Sequence, residues 1–480
     1  MAQVRTRGPA PEWLDAAAQS RLERRVAIAL RRARASGSSV LASVTAPLSQ
    51  AVDPSATVAA SRAPAEPWFC LEQPQREGFA LAALGAVWRL EARGGDRFSA
   101  LDRRWRGLAG AAVAEEPGGP AGSGVVAVGG FAFAPDGGSS SAWTGFAPAS
   151  LAVPEISIYR RGDDARLTVN VGVQPDDTAA DALSRVHRSL ARLRSAPLPL
   201  LDPAPTGTFR VASALPPSHY EDAVARAVER IRAGRLEKVV LAREVEVHAP
   251  SDHDPAAILG VLREGFGSCY VFAVGRGDAA FIAASPELLV RCEGQRASTV
   301  ALAGSARRSA DPAVDDHLGE QLLRSDKDRQ ENAIVARRIA RTLHSRALWV
   351  TAAPEPVLIR VANIQHLARP IRAQLAEPIG AMTLAGLLHP TPAVGGEPYA
   401  VARELIPALE GLDRGWYAGA VGWTDLAGDG EFCVALRCAL LRGRVARCYA
   451  GGGIVADSDP AAELAETEVK LEALLPVLAA

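Results

Sequence analysis

The sequence predicts an α+β protein whose sheet is mainly antiparallel. Between residues 68 and 173, short runs rich in β-branched and aromatic residues alternate with Gly- and Pro-containing turns, which is typical of antiparallel strands. Beyond residue 208, amphipathic helical patterns are interspersed with further strand patterns. The chain has 480 residues, of which 48% are hydrophobic, so it can bury a large core.

The elements follow in order along the chain. Residues 1–207 are predicted to contribute strands to a common fold and to end in a Pro-rich connector at 195–207. Residues 217–233 have a helical pattern, and residues 234–250 alternate as a strand. An amphipathic helix is predicted over residues 325–343.

Composition excludes several classes of function. The net charge of -1 and the pI near 6.7 leave no electrostatic footprint for nucleic acid or an anionic membrane. The six cysteines have no zinc-site spacing, which favours reduced, buried thiols. No apolar run approaches the roughly 20 residues of a spanning helix, and the N-terminus lacks the order of a signal peptide. We therefore predict a soluble cytoplasmic protein with no nucleic-acid or membrane partner. A monomer that acts on a small molecule is the expected state.

The stretch from His389 to Lys470 carries the strongest functional signal. A Pro/Gly-rich turn leads into an amphipathic helix, short strands and the triple glycine at 451–453, where the backbone can approach a ligand closely. Glu463, Glu466 and Lys470 then share one face of an acidic helix. A glycine-lined turn beside a carboxylate-bearing helix predicts a site for an anion and a metal.

Five short sequence motifs of this stretch occur together in a characteristic order and spacing. They are HPTPAVGG (389–396), RGWYAGAVGW (414–423), GEFCVALR (430–437), YAGGGIV (449–455) and ELAETEVK (463–470). This combination closely resembles the chorismate-utilising enzymes, which are the anthranilate, aminodeoxychorismate, salicylate and isochorismate synthases. The resemblance runs from about Ser213 to the C-terminus, with looser similarity upstream. It implies two large packed sheets with helices outside, and a chorismate-binding catalytic region over residues 208–480.

The resemblance gives Lys238 and Glu287 catalytic roles. Taken alone, Lys238 is an exposed strand lysine, and Glu287 is a surface glutamate at the start of a strand. In isochorismate and salicylate synthases, the matching lysine is the base that activates water, and the glutamate of the SPE word resembles an acid that protonates the departing 4-hydroxyl. The base must be neutral, which requires a lowered lysine pKa, and the acid must be protonated, which requires a raised glutamate pKa.

Four carboxylates on two predicted helices point to a metal ion. Asp328 and Glu331 lie on one helix, and Glu463 and Glu466 on the other. Alone, each pair is a solvated helix face, but bringing four carboxylates together is costly without a cation. Mg²⁺ takes one or two carboxylates, waters and a substrate oxygen. The resemblance implies Glu331 and Glu466 as direct ligands, with Asp328 and Glu463 behind them.

The remaining predicted residues would hold the substrate. Gly304 and the N–H groups of Ser305 and Ala306 could form an anion-binding nest, and Arg437 has the planar fork suited to a carboxylate. Lys470 is implied as a substrate contact, although with Glu466 it could form an ordinary i,i+4 pair. His366 could equally be a structural histidine. The other predicted pocket positions are Thr391, Val394, Tyr417, Ala435, Tyr449, Gly451 and Gly452.

These residues together predict Mg²⁺-dependent conversion of chorismate to isochorismate, by water addition at C2 and loss of the 4-hydroxyl, for menaquinone or siderophore biosynthesis. A salicylate synthase would use the same residues and then eliminate pyruvate, and a non-catalytic chorismate-binding regulator is an alternative of another class. Lys238 disfavours anthranilate synthase. Ala303 disfavours aminodeoxychorismate synthase, because that branch carries a nucleophilic lysine at the matching position.

Overall fold

Two large antiparallel sheets carry most of the chain. The computed structural model describes residues 13–48, 52–116, 118–202 and 205–479. Within these residues the strands, β1 to β22 in chain order, are Val40–Pro47, Ala65–Gln73, Phe79–Leu84, Trp88–Ala92, Val126–Phe131, Ala149–Val153, Ile156–Arg161, Asp164–Val173, Arg210–Ser213, Lys238–His248, Tyr270–Gly277, Ala279–Ser285, Leu288–Glu293, Arg296–Arg307, Ala347–Ala352, Val357–Arg360, Ile364–Leu375, Gly396–Glu397, Ala420–Asp425, Gly430–Val434, Cys438–Arg442 and Val445–Ile454.

Helices connect and cover these strands. In the same described ranges, α1 to α12 are Ala16–Ser36, Pro54–Ser61, Arg97–Ala111, Ala179–Ala191, Pro217–Arg232, Pro255–Gly265, Pro312–Arg324, Asp326–His344, Ala381–Leu388, Tyr399–Glu410, Pro460–Leu471 and Leu475–Leu478. None of these helices is long and apolar enough to cross a bilayer.

The first sheet has twelve strands in the order β1-β8-β7-β3-β2-β11-β12-β21-β22-β10-β18, with β9 also paired to β10. The second has ten, in the order β15-β17-β14-β13-β20-β19-β5-β6-β4, with β16 also paired to β17. The neighbouring strands pair antiparallel, as in β10 with β22 and β14 with β17. The observed architecture is therefore the α+β, two-sheet fold that the sequence predicts.

The N-terminal strands are divided between the two sheets. Strands β1, β2, β3, β7 and β8 belong to the first sheet, and β4, β5 and β6 belong to the second. Strand β2 pairs with β11, and β5 pairs with β19, so residues before and after the Pro-rich connector share both sheets. All six cysteines are free and buried.

The main core takes side chains from both sheets. Phe281 of the first sheet packs edge-on against Trp416, and Phe131 packs edge-on against Phe432 within the second sheet. A second apolar cluster, which includes Leu22 of α1 and Val186 of α4, lies on the helix-covered side of the first sheet. Burying a side chain of this size stabilises a fold by roughly 1.5–3 kcal/mol.

Two helices that carry predicted site residues have clear sequence causes. Helix α8 begins at the N-cap Ser325, whose Oγ accepts the Asp328 N–H, and its buried positions include Glu331, Val335 and Ile339 at four-residue spacing. Helix α11 begins at the N-cap Asp459, whose carboxylate accepts the Ala462 N–H at 2.9 Å. Each of these two helices therefore turns a glutamate inward.

Candidate functional site

A cleft of about 730 Å³, its open mouth included, collects most of the predicted residues. The cleft lies where β10 and β22 of the first sheet face β14, α8 and α11. Thirteen predicted residues line it: Glu287, Gly304, Ser305, Glu331, His366, Val394, Tyr417, Arg437, Tyr449, Gly451, Gly452, Glu466 and Lys470. Lys238, Asp328 and Glu463 do not line the cleft. They lie behind its lining residues, where Lys238 pairs with Glu331 and the two acidic residues adjoin Gly304 and Gly452.

Lys238 begins β10 and is fully buried, so it is not the exposed lysine of an ordinary strand. Its Nζ lies 2.8 Å from Oε1 of Glu331 on α8. Gly453 of β22 makes room for this ion pair, because a Cβ there would lie 2.1 Å from the Glu331 oxygen and 2.7 Å from Lys238 Cε. The ion pair therefore depends on three residues from separate elements: Lys238 of β10, Glu331 of α8 and Gly453 of β22.

Glu287 lies between β12 and β13 and is buried, with 2% of its surface exposed. Its backbone is held on both sides, since its N–H donates to Ser285 Oγ at 3.3 Å and its carbonyl accepts the Val434 N–H at 3.0 Å. Burial raises the pKa of Glu287 to about 8, against the opposing effect of the Lys238 charge. The carboxyl group is therefore mainly protonated at neutral pH, as a general acid requires.

The acidic helix faces meet at the back of the cleft. Burial raises the pKa of Asp328, and the charges of Glu331 and Glu466 raise it further. Burial also raises the pKa of Glu463, with a further contribution from Glu466. Burial works in the same direction on Glu466, but the charge of Lys470 and hydrogen bonds hold its pKa below the ordinary value. The four predicted carboxylates thus form one electrostatic cluster.

Each of the three glutamates of this cluster contacts a lysine. Besides the Lys238–Glu331 pair, Glu466 Oε1 lies 2.8 Å from Lys470 Nζ and accepts the Ser305 hydroxyl at 2.6 Å. Glu463 Oε1 accepts from Lys327 Nζ at 2.9 Å and from the Ser458 hydroxyl at 2.7 Å. Lys470 therefore makes the i,i+4 pair, and its Nζ also donates to the Gly451 carbonyl at 2.7 Å.

The donor set of this cluster fits magnesium in chemistry, although the side chains do not converge as a ready-made metal sphere. No group of three or more His, Cys, Asp or Glu side chains among the described residues is arranged around a common metal position. Mg²⁺, however, takes only one or two carboxylates and fills its sphere with waters and substrate. Glu331 and Glu466 face the cleft from opposing helices, and Glu463 Oε2 is buried without a hydrogen-bond partner.

The part of the cleft around Arg437 is cationic and lacks an acidic partner among the described residues. Arg437 is buried with a φ of 48°, a left-handed conformation that costs a non-glycine residue about 1–3 kcal/mol. Its Nη2 donates to His366 Nε2, and its Nη1 is buried without a partner. No carboxylate of the described residues forms an ion pair with Arg437. A carboxylate of the ligand would supply the missing charge.

His366 is part of this arrangement. Its Nδ1–H donates to the Gly304 carbonyl at 3.3 Å, which leaves Nε2 as the acceptor for Arg437. Burial holds the pKa of His366 well below its ordinary value, and the charges of Arg437 and Lys470 lower it further. The neutral imidazole therefore orients the guanidinium. Gly304, at φ 83°, forms a bulge between β14 and β17, where a Cβ would lie 2.9 Å from Asp328 Cβ.

An apolar wall completes the cleft. The rings of Tyr417 and Tyr449 stack with centroids 5.3 Å apart, and Tyr449 stacks in turn on Trp143. The lining residues that were not predicted individually as site residues are Val240, Pro286, Leu302, Ala303, Ala393, Leu436, Ala450 and Gly453. Strand alternation from Lys238 could have identified Val240, and the glycine run could have identified Gly453.

Three predicted pocket residues do not line the cleft. Ala306 pairs with Gln365, one position beyond the Ser305–His366 pair that borders the cleft. The Thr391 hydroxyl accepts the Ala393 N–H at 3.3 Å and so supports the loop from within. Ala435 donates its N–H to the Gly419 carbonyl and accepts the Ala418 N–H, both at 2.8 Å. The next residue, Leu436, lines the cleft instead.

Comparison with known proteins agrees with this geometry. The sequence matches the family of chorismate-binding enzymes over residues 28–479. A salicylate biosynthesis isochorismate synthase from Pseudomonas aeruginosa is 40% identical over 416 residues, covering 86% of this chain and 85% of the relative. The isochorismate synthase MenF of Bacillus subtilis is 33% identical over 355 residues, which are 74% of this chain and 75% of the relative.

The solved structures agree as well. The menaquinone-specific isochorismate synthase of Escherichia coli superimposes with a TM-score of 0.76 at 28% identity, over 94% of this chain and 99% of that chain. A proposed 2,3-dihydroxybenzoate-specific isochorismate synthase, DhbC from Bacillus anthracis, gives a TM-score of 0.69 at 29% identity, over 88% of this chain and 99% of that chain. The chain belongs to the chorismate-binding enzyme family.

Proposed function

We propose that this protein is an isochorismate synthase, which adds water at C2 of chorismate and removes the 4-hydroxyl. The observation that carries the proposal is the placement of a buried lysine and a buried, protonated glutamic acid at one cleft, with an arginine that lacks a carboxylate partner. The names of the relatives from Pseudomonas aeruginosa and Bacillus subtilis support the same activity.

The substrate is a dianion, and the two sides of the cleft fit its two carboxylates. Arg437, oriented by His366, provides one anchor, and the Lys470 ammonium at the Gly451 carbonyl provides the second. Tyr417, Tyr449 and Val394 supply an apolar surface for the ring. Holding the ring against fixed groups lowers the entropic cost of the water attack.

Lys238 and Glu287 then transfer the protons. Neutral Lys238 accepts a proton from the attacking water as the C2–O bond forms, and Glu287 gives its proton to the 4-hydroxyl, which leaves as water when the C4–O bond breaks. One water is added and one released, so the reaction is an isomerisation. Nζ of Lys238 lies 2.8 Å from Oε1 of Glu331, so this carboxylate holds the lysine side chain in place.

Magnesium would be held by Glu331 and Glu466, with Asp328 and Glu463 adjacent to them. When bound, the ion supplies positive charge that stabilises a substrate carboxylate between the acidic helix faces. The buried, unpartnered Glu463 Oε2 and the raised pKa values of Asp328 and Glu463 support a cation at this position.

Product analysis tests the proposal. Purified protein is incubated with chorismate and Mg²⁺ at neutral pH, and the products are separated by chromatography. We expect an equilibrium mixture of chorismate and isochorismate. Salicylate and pyruvate accumulating in equal amounts would identify a salicylate synthase instead. Chorismate binding without Mg²⁺-dependent turnover would identify a regulator.

A further inference from the structure

A second cavity lies between α3 and α10, on the far side of the 389–396 loop from the cleft. It encloses about 1890 Å³, its open mouth included, and we call it the α3–α10 cavity. His389 and Pro390 of the loop line this cavity, while Ala393 and Val394 of the same loop line the catalytic cleft. The loop is therefore a wall shared by two separate cavities.

Arg97, the first residue of α3, is the unusual feature of this cavity. Its surface is only 4% exposed, and no carboxylate of the described residues forms an ion pair with it. Its Nη2 donates to the carbonyls of Ala132 and Phe133, at 2.9 and 3.3 Å, and its Nε is buried without a partner. Arg437 of the catalytic cleft is likewise buried without an ion-pair partner among the described residues. A buried cation without a counter-charge is costly, and burial lowers the pKa of Arg97 to about 10.

The charges around the α3–α10 cavity leave a cationic end. Three carboxylates line it, but Glu410 is paired with Arg414, and Asp413 accepts the N–H groups of Gly138, Ser140 and Gly415. Asp136, exposed at the rim, makes no ion pair with Arg97, although its negative charge acts on the guanidinium from a distance. Arg403, exposed on α10, adds a second positive charge that faces the cavity.

Apolar and aromatic side chains form another part of the lining, with Phe98, Phe133 and Ile406 among them. Phe131 stacks on the Phe98 ring with centroids 3.9 Å apart, and the Arg414 guanidinium lies 4.2 Å from the Phe133 centroid. The Arg97 guanidinium lies over the Phe98 ring, 5.0 Å from its centroid, so the cation adjoins an aromatic surface. The buried Nδ1 of His389 has no partner, and burial and the Arg97 charge lower the pKa of His389 to about 3, so the ring is neutral.

We propose that the α3–α10 cavity binds a small aromatic carboxylate, with its carboxylate group at Arg97 and Arg403 and its ring against Phe98 and Phe133. The ligand would supply the ion-pair partner that Arg97 lacks among the described residues, as the substrate would for Arg437 under the proposed function. A bound ligand would also contact the back of the 389–396 loop.

Isothermal titration of benzoate into the full-length protein tests the proposal without turnover, so its outcome is independent of the reaction. We expect a Kd of ~1 mM or tighter for wild type. Arg97→Gln should weaken binding at least ~10-fold, and Arg403→Gln about 3-fold, because each removes a charge from the carboxylate. Arg437→Gln, which alters only the catalytic cleft, should leave this binding within about 2-fold.

Several outcomes would overturn the proposal. They are the absence of benzoate binding to wild type, loss of binding in Arg437→Gln with retention in Arg97→Gln, or equal binding of the neutral analogue benzyl alcohol. Inorganic phosphate binding as tightly as benzoate would reject an aromatic ligand. If Arg97→Gln does not fold, Arg403→Gln decides, because that side chain is exposed and an unchanged Kd there contradicts the site.

Discussion

The ion pair between Lys238 and Glu331 joins strand β10 to helix α8, and the two residues are 93 positions apart in the chain. Nζ of the lysine lies 2.8 Å from Oε1 of the glutamate, and the lysine side chain is fully buried. Gly453→Ala tests this relationship, because the new Cβ would overlap the ends of both side chains. Those ends are flexible, so we expect the variant to fold and turnover to fall about 10²-fold as the base is displaced. Gly107→Ala, on an open helical face of α3, is the matched control and should keep full activity. Equal activities of the two variants would contradict the inference.

Lys238→Ala tests the base directly. We expect a loss of ~10²–10⁴-fold in kcat, since that is the usual contribution of a general base, while chorismate still binds. The pH–rate profile should also lose its ascending limb. Steady-state kinetics across pH and equilibrium binding of chorismate measure the two effects. A fully active Lys238→Ala enzyme would return this residue to a structural role.

Glu287→Gln tests the raised acid pKa through stability as well as rate. The folded-state pKa of about 8 lies above the ordinary glutamate value of 4.5, so the native state holds a proton that the unfolded state releases between these pH values. Wild type should therefore lose stability as pH rises through this window, by about 3 kcal/mol at pH 7 relative to pH 4.5, whereas the neutral glutamine should not.

Urea denaturation of both proteins at pH 5 and pH 7 measures this difference. Parallel pH dependence of the two unfolding free energies would contradict the buried, protonated carboxyl. Activity provides a second measurement, because wild-type turnover should decline as pH rises through about 8, and Glu287→Gln should lose at least ~10²-fold at every pH.

Glu331→Gln and Glu466→Gln test the metal ligands. Each removes one of the two carboxylates that face the cleft from α8 and α11, so Mg²⁺-dependent turnover should be abolished while the thermal transition remains cooperative. Glu320→Gln breaks only an exposed ion pair with Arg324 on α7, worth about 0–1 kcal/mol, and should behave as wild type. Near wild-type activity of either ligand variant at limiting Mg²⁺ would disprove the assignment.

Arg437→Lys tests the carboxylate anchor. A point charge replaces the planar fork that His366 orients, so we expect KM for chorismate to rise at least ~10-fold, with a smaller change in kcat. Arg442→Lys, at the far end of the neighbouring strand β21 and paired with Asp278 at the surface, serves as the control. An unchanged KM would show that the ligand is held elsewhere.

Local patterns in the sequence were sufficient to identify several elements. The helical period of α8 and the alternation of β10 depend on neighbours in sequence. The helix predicted over residues 325–343 is observed as Asp326–His344, and the strand predicted over 234–250 as Lys238–His248. The partner of Lys238 could not be predicted in this way, because Glu331 and Gly453 reach it only through tertiary packing. The family resemblance, and not the period, identified Lys238 as more than a surface lysine.

The pocket predictions that missed the cleft differ from true lining residues by one or two positions. Ala306, Thr391 and Ala435 lie beside Ser305, Ala393 and Leu436, which do line it. Ala306 lies in β14, where successive side chains point to opposite sides, so a shift of one position turns it away from the cleft. Thr391 and Ala435 lie outside the strands, where this alternation does not apply. The regular alternation of side chains is also interrupted by the bulge at Gly304 and by the left-handed backbone of Arg437. Neither irregularity can be predicted from the sequence motifs.

The order of strands in the first sheet constrains how the protein can be made. Strands β21 and β22 lie between β12 and β10, so residues 438–454 fill a gap between strands that leave the ribosome much earlier. Until those residues emerge, the nascent chain has two unpaired strand edges, at β12 and β10, and such edges promote aggregation. Chains released before residue 438 cannot close this sheet, and a stable N-terminal fragment is not expected from this fold.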